Sequence, residues 1–436
     1  MRSMLQKRPL RLVFTANAIS MIGSGMNSAA VSWYVLEVTH SEIALGTLVT
    51  LQTIPTLLLA PFSGVIIDRE DRRRLLMVLD IARGMAIVLV TLLCFQHRVQ
   101  LWHLYAMNIL VAAGFWMFWP TINALIQELT PGEHFVGSNT LLMAGVQGGW
   151  LIAGAIVGFV YNRIGLGGVL LIDASTYVIS FLCYLGVRKG RHVVQHPHDA
   201  AAEIARAQGA VAHFIHETRE GISYLRQNFY VVLLGCSSSL LIGTMLAQNV
   251  VNPPLAERIL HAGAVGFGWI NAGWGVGAFL TALCVPSLVR LFGTRRSVPV
   301  CMALLAASTF AAPFSRMLAV AVGIFAIMGA SRGFGGIAIN SSLMEVVPKY
   351  YMGRVSNTFA FATRLLQMVL GMVVGVVAQR VSLTLAFSMI GGTYLLAFLT
   401  SAGAAAMAGG QTQPISPEPV ATPPEAAYEQ AAGGSQ

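Results

Sequence analysis

Charge is what this sequence lacks. Only 10% of its 436 residues are Asp, Glu, Lys or Arg, while 56% are hydrophobic. A soluble globular chain carries about 25% charged residues. A water-soluble body of this length could not cover its surface with so few, whereas a chain whose exterior faces lipid has no need to. Lysine is almost missing, with Lys7, Lys189 and Lys349 as the full set. None stands in a GxxxxGK[ST] context, so an ATP-driven pump has no support. No HExxH or GxSxG motif occurs in a context that would suggest an enzyme. Cysteine is sparse too. Cys94, Cys183, Cys236, Cys284 and Cys301 lie in apolar runs without a CxxC pair, which reads as small buried hydrophobes rather than a disulfide framework or zinc site. No metal and no cofactor is expected. The net charge of +9 would suggest nucleic acid in a soluble protein. Here the basic residues fall in short gaps between apolar runs and point to the membrane surface, so no nucleic-acid partner is expected.

What is there is a series of apolar runs, each near the roughly 20 residues that a helix needs to cross the hydrocarbon core. They lie near 12–36, 44–66, 75–95, 101–127, 136–160 and 168–187, then 229–252, 264–290, 297–313, 318–342, 354–379 and 383–407. Span 9 is the shortest. The first run follows Arg2, Lys7, Arg8 and Arg11 and is too long for a signal-peptide core, so it reads as an uncleaved first span. The expectation is an all-α membrane protein of twelve transmembrane helices with both termini on one side. With the N-terminus in the cytoplasm, 19 Lys and Arg fall on the inner side and 5 on the outer, with Arg83, Arg332 and Arg364 inside spans. The positive-inside rule therefore places both termini in the cytoplasm of a multi-pass protein of the bacterial inner membrane.

The longest gap divides the chain into 1–187, a six-helix bundle, a cytoplasmic linker at 188–228, and a second bundle at 229–407, with a disordered tail at 408–436 rich in Pro, Ala, Gly and Glu. In the linker, Phe214, Ile215, Ile222 and Leu225 share a helical face opposite Glu217, Arg219 and Glu220, which predicts a helix on the inner membrane surface. His192, His196 and His198 form either a metal tract or, as expected here without acidic or cysteine partners, a solvated linker.

The two halves repeat. Ile122, Asn123, Glu128 and Pro131 recur as Ile339, Asn340, Glu345 and Pro348, and Gly154, Gly158 and Arg163 recur as Gly371, Gly375 and Arg380, all offset by 217. Ser138-Asn139-Thr140 recurs as Ser356-Asn357-Thr358 at 218, a one-residue slip in the loop. Both repeats begin on the same side, so they are two parallel six-helix repeats, the pattern of the halves of a major facilitator transporter.

The gap after span 2 carries that resemblance further. Gly64, Asp68, Arg69, Arg72 and Arg73 match the major facilitator pattern G-x-x-x-D-R-x-G-R-R, with Asp71 where the family usually has glycine. The resemblance implies a gating motif in which Asp68 faces the N-terminus of span 11 near Gly353-Arg354, where the helix dipole favours a carboxylate. The stretches 22–46, 120–131, 220–228 and 252–268 resemble the exporter branch that includes enterobactin exporters and macrolide efflux proteins. Gly154-Ala155 stands where drug/proton antiporters carry Gly-Pro.

Ionisable groups inside a bilayer cost a few kcal/mol and are functional candidates by default. Asp80 and Arg83 share a face of span 3, as a structural ion pair or as a proton-coupling pair. Arg364 falls near the middle of span 11 and Arg332 in span 10, with no acidic residue inside a second-half span to answer them. They need backbone carbonyls, a first-half partner or an anionic substrate. If the family architecture holds, Asn27, Trp33, Trp116, Trp119, Asn123, Gln248, Asn249, Asn271, Trp274 and Asn340 line the cavity, a surface that suits amphipathic or aromatic compounds. Helix packing is the rival reading for each.

The expected activity is secondary export of small amphipathic molecules (a siderophore, an antibiotic or another metabolite) by rocker-switch alternating access, with protons as the coupling ion and lipid as the surroundings of a monomer. Import of a small anion, lipid flipping and a non-transporting membrane sensor are the alternatives.

Overall fold

The computed structural model describes residues 7–130, 135–187 and 210–410. Within them the side chains of 60–65, 68–69, 135–136, 139–140, 210–215, 217, 282–283, 285–292, 294–296, 349–350 and 408–410 fall outside the description. Gly64, Asp68, Arg69, Phe214 and Ile215 belong to that group, as do the whole histidine-bearing loop and the tail beyond 410, so those expectations lie outside the described residues.

Every described regular element is helical. Spans 1 to 4 are the helices Arg8–Thr39, Glu42–Arg69, Arg72–Phe95 and Leu101–Leu129. Spans 5 and 6 run as one helical stretch, Phe135–Leu185, that turns at Gly165. Spans 8 to 12 are Gly263–Phe292, Thr294–Ala311, Leu318–Val346, Lys349–Arg380 and Leu383–Gly410. Nine described stretches are long and apolar enough to cross a membrane, one of which holds two crossings. Arg8–Thr39 and Gly263–Phe292 complete the twelve. Leu58, Met85, Leu89, Leu182 and Leu399 are all more than half exposed, an arrangement that costs free energy in water and none in lipid. Below, the near end is where span 1 begins and the far end is where it finishes.

The turns follow from local chemistry. His40 closes span 1 in the left-handed region at φ 47°, its N–H returning to the Leu36 carbonyl. Ser41 then caps span 2, its Oγ accepting from the Ala44 N–H. Asp71 caps span 3, one carboxylate oxygen accepting from Arg73 N–H at 2.9 Å and Arg74 N–H at 3.2 Å. Asp71 has φ −60°, which any residue adopts, so the turn needs no glycine here, and the carboxylate adds a side-chain cap. Gly165 does need its residue type, because its φ is 65°.

Two boundaries differ from expectation. Span 7 does not end at 252. It runs as Phe229–Gly243, turns at Thr244, resumes as Met245–Pro254, and finishes in a π-helical turn at Leu255–Ile259. Pro253 and Pro254 each lack an N–H and crowd the preceding carbonyls, and the wider turn that follows them lets the helix continue. Glu257 and Arg258 therefore ride on the helix rather than in a loop. Span 11 starts at Lys349, five residues before the expected 354, so Arg354 is inside it.

The linker helix is Ala210–Gln227. Leu225 is buried but Ile222 is 41% exposed. The side of Gly221 and Tyr224 packs on span 11. A Cβ on Gly221 would stand 2.5 Å from Thr358 Oγ1, Tyr224 stacks on Tyr351 at 4.6 Å, and Glu220 pairs with Arg354 at 2.9 Å. The extra first turn of span 11 supplies Tyr351, and the turns after it supply Arg354 and Thr358.

Candidate functional site

The halves meet through glycine at the far end. A Cβ on Gly158 would stand 2.4 Å from the Ala264 carbonyl oxygen, and one on Gly154 would stand 3.0 Å from Asn271 backbone, so span 5 lies directly on span 8. A Cβ on Gly375 would stand 2.7 Å from the Glu42 carbonyl oxygen, and one on Gly371 would stand 2.7 Å from Val49, so span 11 lies on span 2 in the same manner. The repeated glycines thus make repeated contacts: exchanging the halves converts the pair of spans 5 and 8 into the pair of spans 11 and 2. Close helix approach of this kind requires small residues.

Polar groups lock that end. Arg258 Nη1 reaches Glu42 Oε1 at 2.5 Å, with the Glu42 side chain fully buried and Arg258 45% exposed. Arg258 Nη2 also donates to the His40 carbonyl at 3.3 Å. Gln379 Oε1 accepts from Ser41 Oγ at 2.7 Å and from the Ile43 N–H at 3.0 Å. Trp33 of span 1 is 8% exposed and stacks on Phe267 of span 8 at 5.8 Å.

Span 3 places Asp80 and Arg83 on the interior of the first half, as their spacing predicts. Arg83 Nη2 meets Asp80 Oδ1 at 2.5 Å with both side chains at most 1% exposed. The guanidinium lies over the Tyr177 ring at 4.6 Å and the Phe118 ring at 4.7 Å, a cation–π sandwich. Gly114 makes room, since a Cβ there would come within 2.7 Å of the Arg83 side chain.

A second buried carboxylate stands close by that the pattern of charges inside spans did not flag. Asp173 of span 6 is 0% exposed. Its Oδ2 accepts from Asn27 Nδ2 of span 1 at 2.6 Å, and its Oδ1 accepts from Thr176 Oγ1 at 3.4 Å. Gly23 permits this, because a Cβ there would stand 2.4 Å from Asp173 Oδ1. Asp173 lies inside the expected sixth span, 168–187, where the rule for ionisable groups in a bilayer applies to it, but it has no oppositely charged residue one helical turn away. Its partner on another helix, Asn27, stands 146 residues earlier.

In the second half, Arg364 lies 15 residues beyond Lys349, about 22 Å along the helix at 1.5 Å per residue and close to its middle. Its Nη1 donates to Gln367 Oε1 at 2.7 Å, and Gln367 Nε2 donates to the Ile242 carbonyl at 3.1 Å, beside the break in span 7. The guanidinium also lies over the Trp116 ring of span 4 at 4.8 Å. Of the three possibilities left open for Arg364, the structure shows a first-half neighbour in the form of an aromatic face, and the two residues bridge the halves near mid-depth. Arg364 Nε and Trp116 Nε1 are buried donors with no acceptor among the described residues. Arg332 lies against Tyr394, and its Nη1 likewise lacks an acceptor among the described residues.

The other candidates are dispersed. Asn123 donates to the Trp119 carbonyl at 2.8 Å and Asn271 to the Phe267 carbonyl at 2.8 Å, both one turn back on their own helices. Gln248 is buried with Nε2 unmatched among the described residues. Trp119, Asn249 and Trp274 are half-buried and Asn340 is exposed. Within the motif after span 2, Arg72 pairs with Glu128. Arg73 donates from Nε to the Tyr184 carbonyl at 2.7 Å and from Nη2 to the Leu185 carbonyl at 2.8 Å, capping the end of span 6.

Twelve helices in two pseudo-equivalent sets, joined at one end by paired glycine contacts, define a major facilitator transporter. The chain belongs to the transmembrane secretion effector family, whose model matches residues 3–432. It is 23% identical over 357 residues to macrolide efflux protein A of Streptococcus pyogenes, covering 79% of this chain and 82% of that one. It is 25% identical over 365 residues to the MFS-type transporter YkuC of Bacillus subtilis, covering 80% of each. Among solved structures, a bacterial homologue of the iron transporter ferroportin in its inward-facing state superposes with a TM-score of 0.71 at 15% identity, over 91% of this chain and 98% of that one. The nucleoside transporter NupG superposes with a TM-score of 0.68 at 14% identity, over 93% and 100%. The fold is therefore that of a membrane transporter and not of an enzyme.

Proposed function

We propose that the chain exports small amphipathic molecules by rocker-switch alternating access, driven by the proton gradient. The observation that carries the reading is the far-end closure, in which Arg258 and Glu42 join the two halves above paired glycine contacts. The distribution of Lys and Arg makes the far end the outer side of a bacterial inner membrane. The form described here is then closed to the outside, the state in which an exporter loads from the cytoplasm. Separate bundles at 1–187 and 229–407 are the two rocking bodies in this reading. Efflux is supported by the likeness to macrolide efflux protein A. Substrate recognition is assigned to the Arg364–Trp116 bridge. An aromatic face beside a cation, with two unmatched donors, suits a ligand with an apolar body and an acceptor-bearing or anionic end.

Energised everted vesicles test this. Vesicles carrying the chain should accumulate a labelled macrolide above vesicles lacking it, and Arg364→Gln should reduce the accumulation. Accumulation confined to right-side-out vesicles would make the chain an importer and overturn the export reading.

A further inference from the structure

We infer that Asp173, and not Asp80, is the group that binds and releases the coupling proton, with Asn27 of span 1 as its positioning residue. This deepens the proposed proton-driven export and rests on it.

The argument begins with a charge count. Among the described residues, the cluster around Arg83 holds two carboxylates, Asp80 and Asp173, and that one guanidinium, all at most 1% exposed, while the other buried carboxylate of the first half, Glu42, is paired with Arg258 at the far end. With every group ionised the cluster carries one uncompensated negative charge inside the membrane, which is costly. One proton makes it neutral. Tyr177 is the other titratable group packed here, and its hydroxyl pairs with Ser24 Oγ at 3.1 Å. Tyr184 lies on the same span farther along and is fully buried. Span 8, which packs on the span 5 part of the same helical stretch, bears no charged residue before Arg290.

Geometry decides which carboxylate takes the proton. Asp80 is in direct contact with Arg83 at 2.5 Å, and protonating it would strand a buried guanidinium. Asp173 has only neutral hydrogen-bond partners, the Asn27 amide and the Thr176 hydroxyl. Asn27 serves both states: its NH2 donates to the carboxylate, and after rotation of the amide its carbonyl accepts from the acid O–H. Only an O–H bond forms and breaks. The proton comes from water on one side of the membrane and leaves to water on the other. Because Asn27 and Gly23 lie on span 1, and Trp33 on the same helix stacks on span 8, a change at Asp173 bears on the helix that helps to close the far end.

The test needs no known substrate. Infrared difference spectra of the purified full-length protein, taken between about pH 5 and about pH 9, should show a protonated-carboxyl band. Labelling aspartate with carbon-13 should shift that band. Asp173→Asn should remove it, Asp173→Glu should restore one at a different frequency, and Asn27→Ala should keep it with a displaced midpoint. Asp80→Asn should move the titration to lower pH, because Asp173 then becomes the counter-ion of Arg83. Should Asp173→Asn fail to fold, the carbon-13 shift and the Asn27→Ala displacement decide the matter in protein that does. A band unmoved by aspartate labelling, or surviving intact in folded Asp173→Asn, overturns the assignment. If the band behaves as expected while vesicles fail to accumulate macrolide, the substrate reading fails and the proton site stands.

Discussion

The buried pair in span 3 is where a single side chain has the largest expected effect. Arg83→Met leaves Asp80 in the interior without its counter-ion, and breaking a buried pair from one side costs about 3–5 kcal/mol. The melting temperature in detergent should drop steeply. Asp80→Leu combined with Arg83→Met removes both charges and should recover much of the loss. A double variant no more stable than the single one would show that the aromatic sandwich, and not charge, sets the cost. Sequence made this pair readable because partners three apart on one helix share a face. It did not reveal Asp173, whose partner Asn27 belongs to span 1. Polar contacts between distant helices leave no spacing to read. Arg364 falls between these cases: its depth was legible, but its stacking on Trp116 depends on how the halves dock.

Helix ends and helix contacts were legible where a residue type is forced by local chemistry. Asp71 stands where the family pattern carries glycine, and its role emerges only from the two backbone N–H groups it caps. Asp71→Ala should destabilise the protein by about 1 kcal/mol and Asp71→Gly by only a few tenths, since glycine is nearly as good at a helix N-cap. Thermal unfolding of the two variants checks the order. The extent of span 7 was not legible, because a double proline normally ends a helix. The repetition of the glycines was legible, and they pack spans 5 on 8 and 11 on 2. Gly158→Val and Gly375→Val each place new atoms against backbone that cannot withdraw. Both should hold the far end apart while leaving each half folded. Far-end thiol labelling should rise in both, with near-normal helical content by circular dichroism.

For the whole molecule, the decisive quantity is the free-energy difference between the far-end-closed form and its open counterpart, and Arg258 and Glu42 contribute to it unequally. Glu42 is fully buried in the closed form and Arg258 only partly. Arg258→Gln therefore leaves a buried carboxylate without its cation, and opening toward water relieves it. Glu42→Gln leaves a half-exposed arginine that water already solvates, so its effect should be smaller. Joining Glu42→Gln to Arg258→Gln removes the buried charge and should shift the balance less than Arg258→Gln alone. Val49, buried where span 11 crosses span 2, can report the shift. Val49→Cys, in a background without the five native cysteines, should label slowly with a membrane-impermeant thiol reagent from the far side. Adding Arg258→Gln should speed labelling by about tenfold for every 1.4 kcal/mol of shift. Exchanging the charges, with Glu42→Arg and Arg258→Glu together, should return labelling only part of the way, because the arginine would then occupy the buried position. Equal labelling in all variants would mean that glycine packing alone holds the far end shut.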